Sequence, residues 1–169
     1  MLGSAFPSSQ FLTNKLLAPI DYEKARLIIE YGAGVGNISI ELLRRMHKDA
    51  KLLVFELNAE LAEFLKKEFE DKRIIVSGRS AADVEEVLRE HNLGQADYII
   101  SGVPFSTIPK DIGKKIVEAT KLALKPDGKF LVYQFKSKVL ELLEPNFKHI
   151  ERNFEFVNIP PLKIFYAYN

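Results

Sequence analysis

The sequence predicts an α/β fold in which a mostly parallel sheet of seven strands carries helices on both faces and ends in an antiparallel pair of strands. Short apolar runs rich in β-branched residues alternate with longer segments of helical periodicity along most of the 169 residues. The first five runs are nearly continuous in apolar character, which is typical of parallel strands buried on both sides. Only "IPPL" joins the last two runs, and so short a connection predicts antiparallel pairing because it cannot hold a crossover helix.

The individual elements follow from these two periodicities. The seven predicted strands are 27–31, 51–57, 73–78, 96–103, 129–135, 148–158 and 163–169. The four predicted helices between them start at Asn37, Asn58, Ser80 and Lys110. The spacing in the first of these helices predicts an apolar face made of Ile38, Leu42, Leu43 and Met46. The spacing in the second predicts an apolar face made of Leu61, Phe64, Leu65 and Phe69.

Local signals predict where three of these helices begin or end. Asn58 has a side chain that can cap a helix N-terminus. Gly94 is predicted to end the third helix as a C-cap glycine. Pro126, Asp127 and Gly128 predict a turn between the fourth helix and the strand that follows. No repeat or linker divides the chain, so we expect a single domain over residues 1–169, with 1–20 as an N-terminal segment on a core of 21–169.

Composition narrows the class of protein. Hydrophobic residues make up 47% of the chain and charged residues 28%, which is typical of a soluble globular protein. The chain has no cysteine, and its three histidines lack ligand spacing, so no metal is expected. The absence of a secretory signal and of a membrane-length apolar run predicts the cytoplasm. The net charge of +1 does not indicate a nucleic-acid partner.

A glycine-rich turn follows the first predicted strand. Gly32, Gly34 and Gly36 alternate after the acid Glu30, and Glu56 closes the second strand, twenty residues after the last glycine. Ligands of open α/β sheets bind at the carboxyl ends of the strands, where a carboxylate can accept hydrogen bonds from both hydroxyls of a ribose. A tight turn without a ligand and a solvated acid are the alternative interpretations. The combination favours an adenosine-type ligand.

The spacing of the glycines also bears on the kind of ligand. Dinucleotide sites have the pattern G-x-G-x-x-G, whereas this turn reads G-x-G-x-G, although a nicotinamide cofactor stays open as an alternative. The chain contains no GxxxxGK[ST] segment, which argues against a nucleoside triphosphate.

"EYGAGVGN" (30–37) followed by "VFELN" (54–58) resembles motifs I and II of class I S-adenosylmethionine-dependent methyltransferases. That family has a Rossmann-like sheet of seven strands with an antiparallel last hairpin, and the resemblance covers residues 27–169. It implies S-adenosyl-L-methionine as the cofactor and S-adenosyl-L-homocysteine as the product.

The same resemblance implies which residues hold the cofactor. The three glycines would border its methionine part, Glu30 would hold the amino end, Glu56 would bind the ribose and Leu57 would lie against the adenine. The other residues implied at the cofactor site are Ser9, Phe11, Asn37, Ser80, Ala81, Ala82 and Ser101.

"SGVPFST" (101–107), after the fourth strand, resembles the N/D-P-P-Y/F loop of amine-directed members of the family. In that loop a polar group and a backbone carbonyl accept hydrogen bonds from the target nitrogen, and an aromatic ring holds it. Pro104-Phe105 matches the pattern, whereas Ser101 is interpreted as replacing the Asn or Asp, which argues against an adenine nitrogen as the acceptor.

The catalytic residues implied by this loop and the neighbouring strand end are Ser101, Gly102, Phe105 and Tyr133. Carbonyls at Ser101–Gly102 and the phenol of Tyr133 are alternatives for the group that assists loss of the amine's proton. Phe105 is interpreted as the aromatic face that attracts the methylated cation, and Phe135 as a core or edge residue.

Four segments resemble bacterial soluble phospholipid N-methyltransferases more specifically: 5–17, 77–83, 96–109 and 151–166. The resemblance implies methyl transfer to the amine of phosphatidylethanolamine or another amine at a membrane surface, without nucleic acid. The segment "SSQFL" is also similar to the N-terminus of rRNA adenine dimethyltransferases. The alternatives are therefore an rRNA adenine or small-molecule N-methyltransferase, and a module that binds the cofactor without turnover. The sequence leaves the oligomeric state open.

Two features suggest contact with the inner face of the membrane. In "FLTNKLLAPI" the spacing of Phe11, Leu12, Lys15, Leu16 and Pro19 predicts a short helix that covers the cofactor and touches lipid, or alternatively one that packs on the sheet. Between residues 110 and 138, eight lysines against three acids give a surplus of +5, which could attract anionic headgroups or form a solvated face.

Overall fold

A seven-stranded sheet organises the fold in a computed structural model that describes residues 10–155 and 162–169. Its strands are β1 (Leu27–Tyr31), β2 (Lys51–Phe55), β3 (Ile74–Ser77), β4 (Ala96–Ser101), β5 (Leu124–Gln134), β6 (His149–Glu155) and β7 (Leu162–Tyr168). They lie in the order β3-β2-β1-β4-β5-β7-β6. The first five pair in parallel, and β7 pairs antiparallel with both β5 and β6. The predicted fold class and the closing antiparallel pair are confirmed.

The strand order reverses between β1 and β4. The chain leaves β1 towards β2 and β3, then returns to β4 on the other side of β1. A crevice forms at the carboxyl ends of the strands at such a reversal, and ligands of open α/β sheets bind there. The glycine-rich turn follows β1 and the loop 102–109 follows β4, so both lie at this crevice.

Helices cover both faces of the sheet. They are α1 (Gln10–Leu17), α2 (Asn37–Arg45), α3 (Ala59–Glu68), α4 (Val84–Glu90), α5 (Lys110–Ala123) and the short α6 (Leu140–Leu143). One hydrophobic cluster joins α1, α2 and α3 to one face of the sheet. The other joins α4, α5 and α6 to the opposite face. No helix in the described residues is long and apolar enough to cross a membrane.

The N-terminal helix α1 packs on the sheet, which was one of the two interpretations of this segment. Leu12, Leu16 and Leu17 are buried in the cluster that contains α2. The hydroxyl of Tyr166 in β7 donates a hydrogen bond to the carbonyl of Lys15. Of the apolar residues assigned to the lipid-facing side, only Phe11 is exposed, at 68% of its surface. The predicted apolar face of α1 therefore packs in the hydrophobic core.

Two predicted helix features are wrong. The third predicted helix is a 3-10 turn at 81–83 that leads into α4, which ends at Glu90, before Gly94. Asn92 takes the left-handed conformation after it, with φ 52°, because an Asn side chain tolerates that region. In α3 the buried residues are Ala62 and Leu65, whereas Phe64 is 43% exposed.

The turn predicted at 126–128 lies inside β5. Leu124 already pairs with Ala96, and the register then shifts so that Lys129 pairs with Tyr98. Residues 125–128 therefore bulge out of the ladder instead of separating a helix from a strand. Lys125 bonds Asp97 at this bulge, at 2.5 Å. The Asn58 cap, by contrast, is confirmed, since its side chain accepts from the amide of Leu61 at 3.1 Å.

Candidate functional site

The glycine-rich turn joins β1 to α2 at the crevice. All three glycines have positive φ: 71° at Gly32, 58° at Gly34 and 85° at Gly36. Residues that carry a Cβ rarely adopt a positive φ, so the backbone conformation alone favours glycine at each of the three positions. The amide of Gly32 donates to the carbonyl of Phe55 at 2.7 Å, which ties the start of the turn to the end of β2.

The surroundings of the three glycines differ. A Cβ at Gly36 would lie 2.8 Å from Leu65 and 2.9 Å from Phe69, so α2 and α3 pack directly on this position. A Cβ at Gly32 would lie 3.6 Å from the backbone of Gly102, in the loop after β4. A Cβ at Gly34 would have no neighbour within 4 Å. Gly34 is therefore the glycine whose backbone faces open space, as close approach of a ligand requires.

Glu56 closes the other side of the turn. Its side chain is 8% exposed, and it accepts hydrogen bonds from the amide of Gly34 at 2.7 Å and from the amide of Asn58 at 2.9 Å. Each carboxylate oxygen thereby uses one of its two lone pairs and keeps another. Leu57 follows with 71% of its surface exposed, which is unusual for a leucine beside a buried acid. The ribose and adenine roles assigned to these two residues stay predictions.

Glu30 lies beneath the turn. It is 2% exposed and accepts a hydrogen bond from the hydroxyl of Ser39 in α2 at 2.5 Å. The pKa of Glu30 is raised from 4.5 to about 7, chiefly by burial; the bond from Ser39 opposes this rise, and the charge of Glu56 adds to it. Glu30 is thus a buried carboxyl that titrates near neutral pH.

The loop after β4 has most of its backbone groups paired. The amide of Gly102 donates to the carbonyl of Tyr31 at 2.9 Å, and the hydroxyl of Ser101 accepts from the amide of Val103 at 3.2 Å. The carbonyl of Val103 accepts from Gln134 at 2.6 Å and from the amide of Phe105 at 2.9 Å. Ser101 is fully buried, so its side chain shapes the loop from below.

Gly102 and Tyr133 carry two polar groups that remain unpaired at the start of this loop. Within the described residues, no donor reaches the carbonyl of Gly102 and no partner bonds the hydroxyl of Tyr133. The Tyr133 hydroxyl lies directly against Gly102, where it would collide with a Cβ. Burial first, and then the charge of Glu30, raise the pKa of Tyr133 above its ordinary range, so it is a neutral phenol.

The interpretation of Ser101 as the residue that replaces Asn or Asp is corrected. Counted back from Phe105, the first position of the four-residue pattern is Gly102. The hydroxyl of Tyr133 fills the space that a side chain at Gly102 would need, so a phenol from β5 stands where the pattern has an amide or carboxylate.

The structure also reverses the interpretation of the two phenylalanines. Phe105 is 4% exposed and packs in the cluster beneath α5, within 3.4 Å of the Cβ position of Gly113. Phe135, which was assigned to the core or an edge, is 43% exposed just after β5. The ring that follows β5 is therefore exposed, whereas the ring inside the four-residue pattern is buried.

The remaining predicted site residues divide between the crevice and the core. Ser80 caps the 3-10 turn by accepting from the amide of Ala82 at 3.2 Å, and Ala81 is buried. Asn37 is exposed at the start of α2. Phe11 is exposed on α1. Ser9 lies outside the described residues.

Two residues at the site carried no signal in the sequence. Ser39 donates a hydrogen bond to Glu30, but the sequence does not show this contact, because it depends on how the glycine-rich turn places α2 against β1. Gln134 bonds the loop after β4, and it comes there because Val132 of β5 pairs with Ser101 of β4.

Several lysines of the predicted basic region have partners within the chain. Lys110 pairs with Glu141 at 3.4 Å, Lys114 with Glu118 at 3.7 Å and Lys125 with Asp97 at 2.5 Å. Lys129 lies over the ring of Tyr168 at 4.9 Å. Half of the eight lysines therefore have partners within the chain, which weakens the argument for attraction of anionic lipid.

Known proteins resemble this chain in sequence. A family model described as the methyltransferase small domain matches residues 7–156. An ornithine lipid N-methyltransferase of Singulisphaera acidiphila is 27% identical over 169 residues, covering 98% of this chain and 88% of the relative. A ribosomal RNA small subunit methyltransferase A of Mycoplasma capricolum is 29% identical over 172 residues. That alignment covers 92% of this chain but 60% of the relative.

Solved structures resemble it in fold. A precorrin-6y C5,15-methyltransferase from Geobacter metallireducens superposes with a TM-score of 0.77 at 16% identity, covering 100% of this chain and 92% of the other. A 16S rRNA N2 G1207 methyltransferase of T. thermophilus, solved with AdoMet and guanosine, superposes with a TM-score of 0.72 at 23% identity. That superposition covers 99% of this chain and 44% of the other. Identities this low support likeness of fold, and the acceptor has to be argued from the site.

Proposed function

The chain belongs to the methyltransferase small domain family and is an S-adenosylmethionine-dependent N-methyltransferase, and we propose that its acceptor is the primary amine of a phospholipid headgroup such as phosphatidylethanolamine. The observation that carries this proposal is the pair formed by Gly102 and Tyr133. The hydroxyl of Tyr133 lies against Gly102, which faces Gly32, and neither that hydroxyl nor the Gly102 carbonyl has a partner among the described residues. Two oxygens that lack donors are suited to bind the N–H groups of an amine.

The residues at the crevice fit the cofactor. The backbone of Gly34 faces open space, Glu56 keeps free lone pairs for ribose hydroxyls, and exposed Leu57 offers an apolar surface for a base. When bound, S-adenosylmethionine supplies a methyl group that is already activated on a sulfonium. The chain therefore needs mainly to position the amine in line with that methyl group.

The acceptor oxygens have a defined task in this mechanism. An ammonium has no lone pair, so the amine must lose one proton before its nitrogen attacks the methyl carbon. The carbonyl of Gly102 and the hydroxyl of Tyr133 hold the remaining two N–H groups, so that the lone pair points away from them. Glu30, whose charge reaches Tyr133 and whose pKa is about 7, can take up a proton near neutral pH.

The lipid acceptor is supported by the relatives. The ornithine lipid N-methyltransferase aligns along 88% of its own length. The rRNA relative has 40% of its length outside the alignment, as follows from the 60% covered. An RNA acceptor is the second candidate because several rRNA methyltransferases are similar to this chain.

Transfer of labelled methyl from S-adenosylmethionine tests the proposal. The protein is incubated with vesicles that contain phosphatidylethanolamine, and in parallel with ornithine lipid, small-subunit rRNA and free ethanolamine. We expect label in the organic extract of the phosphatidylethanolamine sample. Glu56→Ala should abolish it, and Glu60→Ala, which removes an exposed acid of α3, should not. Label in RNA alone, or in none of the four acceptors, would refute the lipid proposal.

A further inference from the structure

Two unpaired oxygens at the carboxyl ends of β4 and β5 belong to residues that are not fully buried. Gly102 and Tyr133 are both partly exposed, whereas their chain neighbours Ser101 and Gln134 are buried. The carbonyl of Gly102 and the hydroxyl of Tyr133 have no partner among the described residues. This pair, rather than its buried neighbours, is therefore the one that a ligand in the crevice meets.

The sheet fixes the positions of both oxygens. The amide of Gly102 donates to the carbonyl of Tyr31 at 2.9 Å, which ties this peptide to the end of β1. Tyr133 pairs with Ile164 across β5 and β7, and its ring packs against the cluster that contains α1, α2 and α3. Its hydroxyl lies against Gly102, where it would collide with a Cβ. The carbonyl and the hydroxyl are therefore presented to a ligand from neighbouring, fixed positions.

Methyl transfer changes the number of N–H groups that an amine can offer to these oxygens. A primary ammonium that has released one proton keeps two N–H groups and a lone pair. The lone pair forms a bond to the methyl carbon, the carbon–sulfur bond breaks with its electrons left on sulfur, and the products are a secondary ammonium and S-adenosylhomocysteine. The secondary ammonium must release a proton before a second transfer, and the resulting amine keeps one N–H group. After a second round of transfer and proton release, the amine keeps none.

The loss of N–H groups matters because the lone pair must point at the sulfonium in every round. The two substituents of the nitrogen that are not the headgroup carbon then face the carbonyl of Gly102 and the hydroxyl of Tyr133. In the monomethylated amine a methyl group takes one of these places. An amide carbonyl is a stronger acceptor than a phenol, so the remaining N–H stays on Gly102 and the methyl group faces Tyr133.

We propose that Tyr133 is a specificity-determining residue that makes the enzyme prefer the least methylated amine. This inference rests on the proposed function and extends it to the number of methyl groups. Because each methyl group removes one hydrogen bond, kcat/KM should fall about tenfold from phosphatidylethanolamine to its N-monomethyl form, and about tenfold again to its N,N-dimethyl form. Monomethylated lipid should therefore accumulate before dimethylated lipid appears.

Transfer of labelled methyl to vesicles that contain each of these three lipids measures the selectivity. Tyr133→Phe removes the hydroxyl and keeps the ring, so it should lower kcat/KM for phosphatidylethanolamine by about tenfold. The value for the monomethyl form should stay near that of the wild type, because this amine has no N–H group left for Tyr133. Both values should exceed that of the dimethyl form by about tenfold, since the carbonyl of Gly102 is unchanged. An unchanged Kd for S-adenosylmethionine checks that the variant is folded.

Tyr22→Phe is the matched control. The hydroxyl of Tyr22 also lacks a partner among the described residues, but Tyr22 lies before β1, at the opposite end of the strands from the crevice. This variant should keep the wild-type order of the three acceptors. If Tyr133 only supports the loop, Tyr133→Phe should lower all three values by the same factor. That result, or wild-type selectivity retained in Tyr133→Phe, would overturn the inference.

The same assay keeps this inference apart from the proposed function. If the wild type methylates phosphatidylethanolamine and its monomethyl form with equal kcat/KM, the selectivity is refuted and the lipid acceptor stands. If no label enters any of the three lipids, both proposals are refuted.

Discussion

Glu30 predicts a pH dependence of stability that can be assigned to one residue. Its carboxyl is fully buried, and its pKa rises from 4.5 in the unfolded chain to about 7 in the folded protein. The folded state therefore holds a proton that the unfolded state has already released between these two values. Stability contributed by the group is fully present below pH 4.5 and is lost as the pH rises through about 7.

The size of the effect follows from the shift. A difference of about 2.5 pKa units, at 1.36 kcal/mol for each unit, corresponds to a loss of about 3 kcal/mol between these pH values. Glu30→Gln mimics the protonated carboxyl and keeps an oxygen that can accept from Ser39. The variant should therefore be about as stable as the wild type near pH 4.5 and about 3 kcal/mol more stable near pH 8.

Urea unfolding of both proteins across this pH range measures the difference directly. Ser39→Ala is the control, because it removes the bond that opposes the shift and leaves the titrating carboxyl in place, so its loss of stability with rising pH should be at least as large as that of the wild type. If the wild type and Glu30→Gln changed in parallel with pH, Glu30 would not be the group that titrates, and its proposed part in taking up a proton would fall with it.

Two further predictions concern residues whose roles the structure redefines. Gly36→Ala should destabilise the fold by about 2–4 kcal/mol, because the new Cβ would collide with Leu65 and Phe69 and the backbone has positive φ. Gly34→Ala, whose Cβ would lie in open space, should cost about 1 kcal/mol of stability and act mainly on cofactor affinity. Equal losses of stability in thermal unfolding would contradict this difference between the two glycines. Phe105→Ala should lower stability by about 3–5 kcal/mol, because it truncates a buried core residue. Phe135→Ala, at an exposed residue, should leave the midpoint of urea unfolding unchanged. If Phe135→Ala were the more destabilising of the two, Phe105 would again be a candidate site residue.

The sequence predicted the fold well because its signals are local. Strand and helix periodicities were read directly, and the four-residue connection settled the antiparallel end of the sheet. The errors arose where tertiary contacts decide. Asn92, rather than Gly94, takes the left-handed turn, and residues 125–128 bulge because Asp97 and Ala96 on the neighbouring strand set the register of β5.

The candidate site was predictable only in part, for the same reason. The positions of the glycines and acids follow from a motif, but the packing that demands Gly36 comes from α3, far along the chain. Phe105 was assigned to the site because it lies in the loop that matches the acceptor pattern, yet it packs in the core with α5. Gln134 belongs to no motif, and it joins the site because the parallel register of β4 and β5 brings two strand ends together.

The balance of donors and acceptors at the crevice bears on the choice between a lipid amine and an adenine. Among the described residues, the groups left unpaired where the loop begins include the Gly102 carbonyl, which can only accept, and the Tyr133 hydroxyl, which can also accept. An adenine amine offers two N–H groups beside ring nitrogens that themselves need donors. An aliphatic ammonium offers three N–H groups and no acceptor. Two groups that can both accept therefore match the aliphatic amine better, and they would leave the ring nitrogens of an adenine with only the phenol to bind.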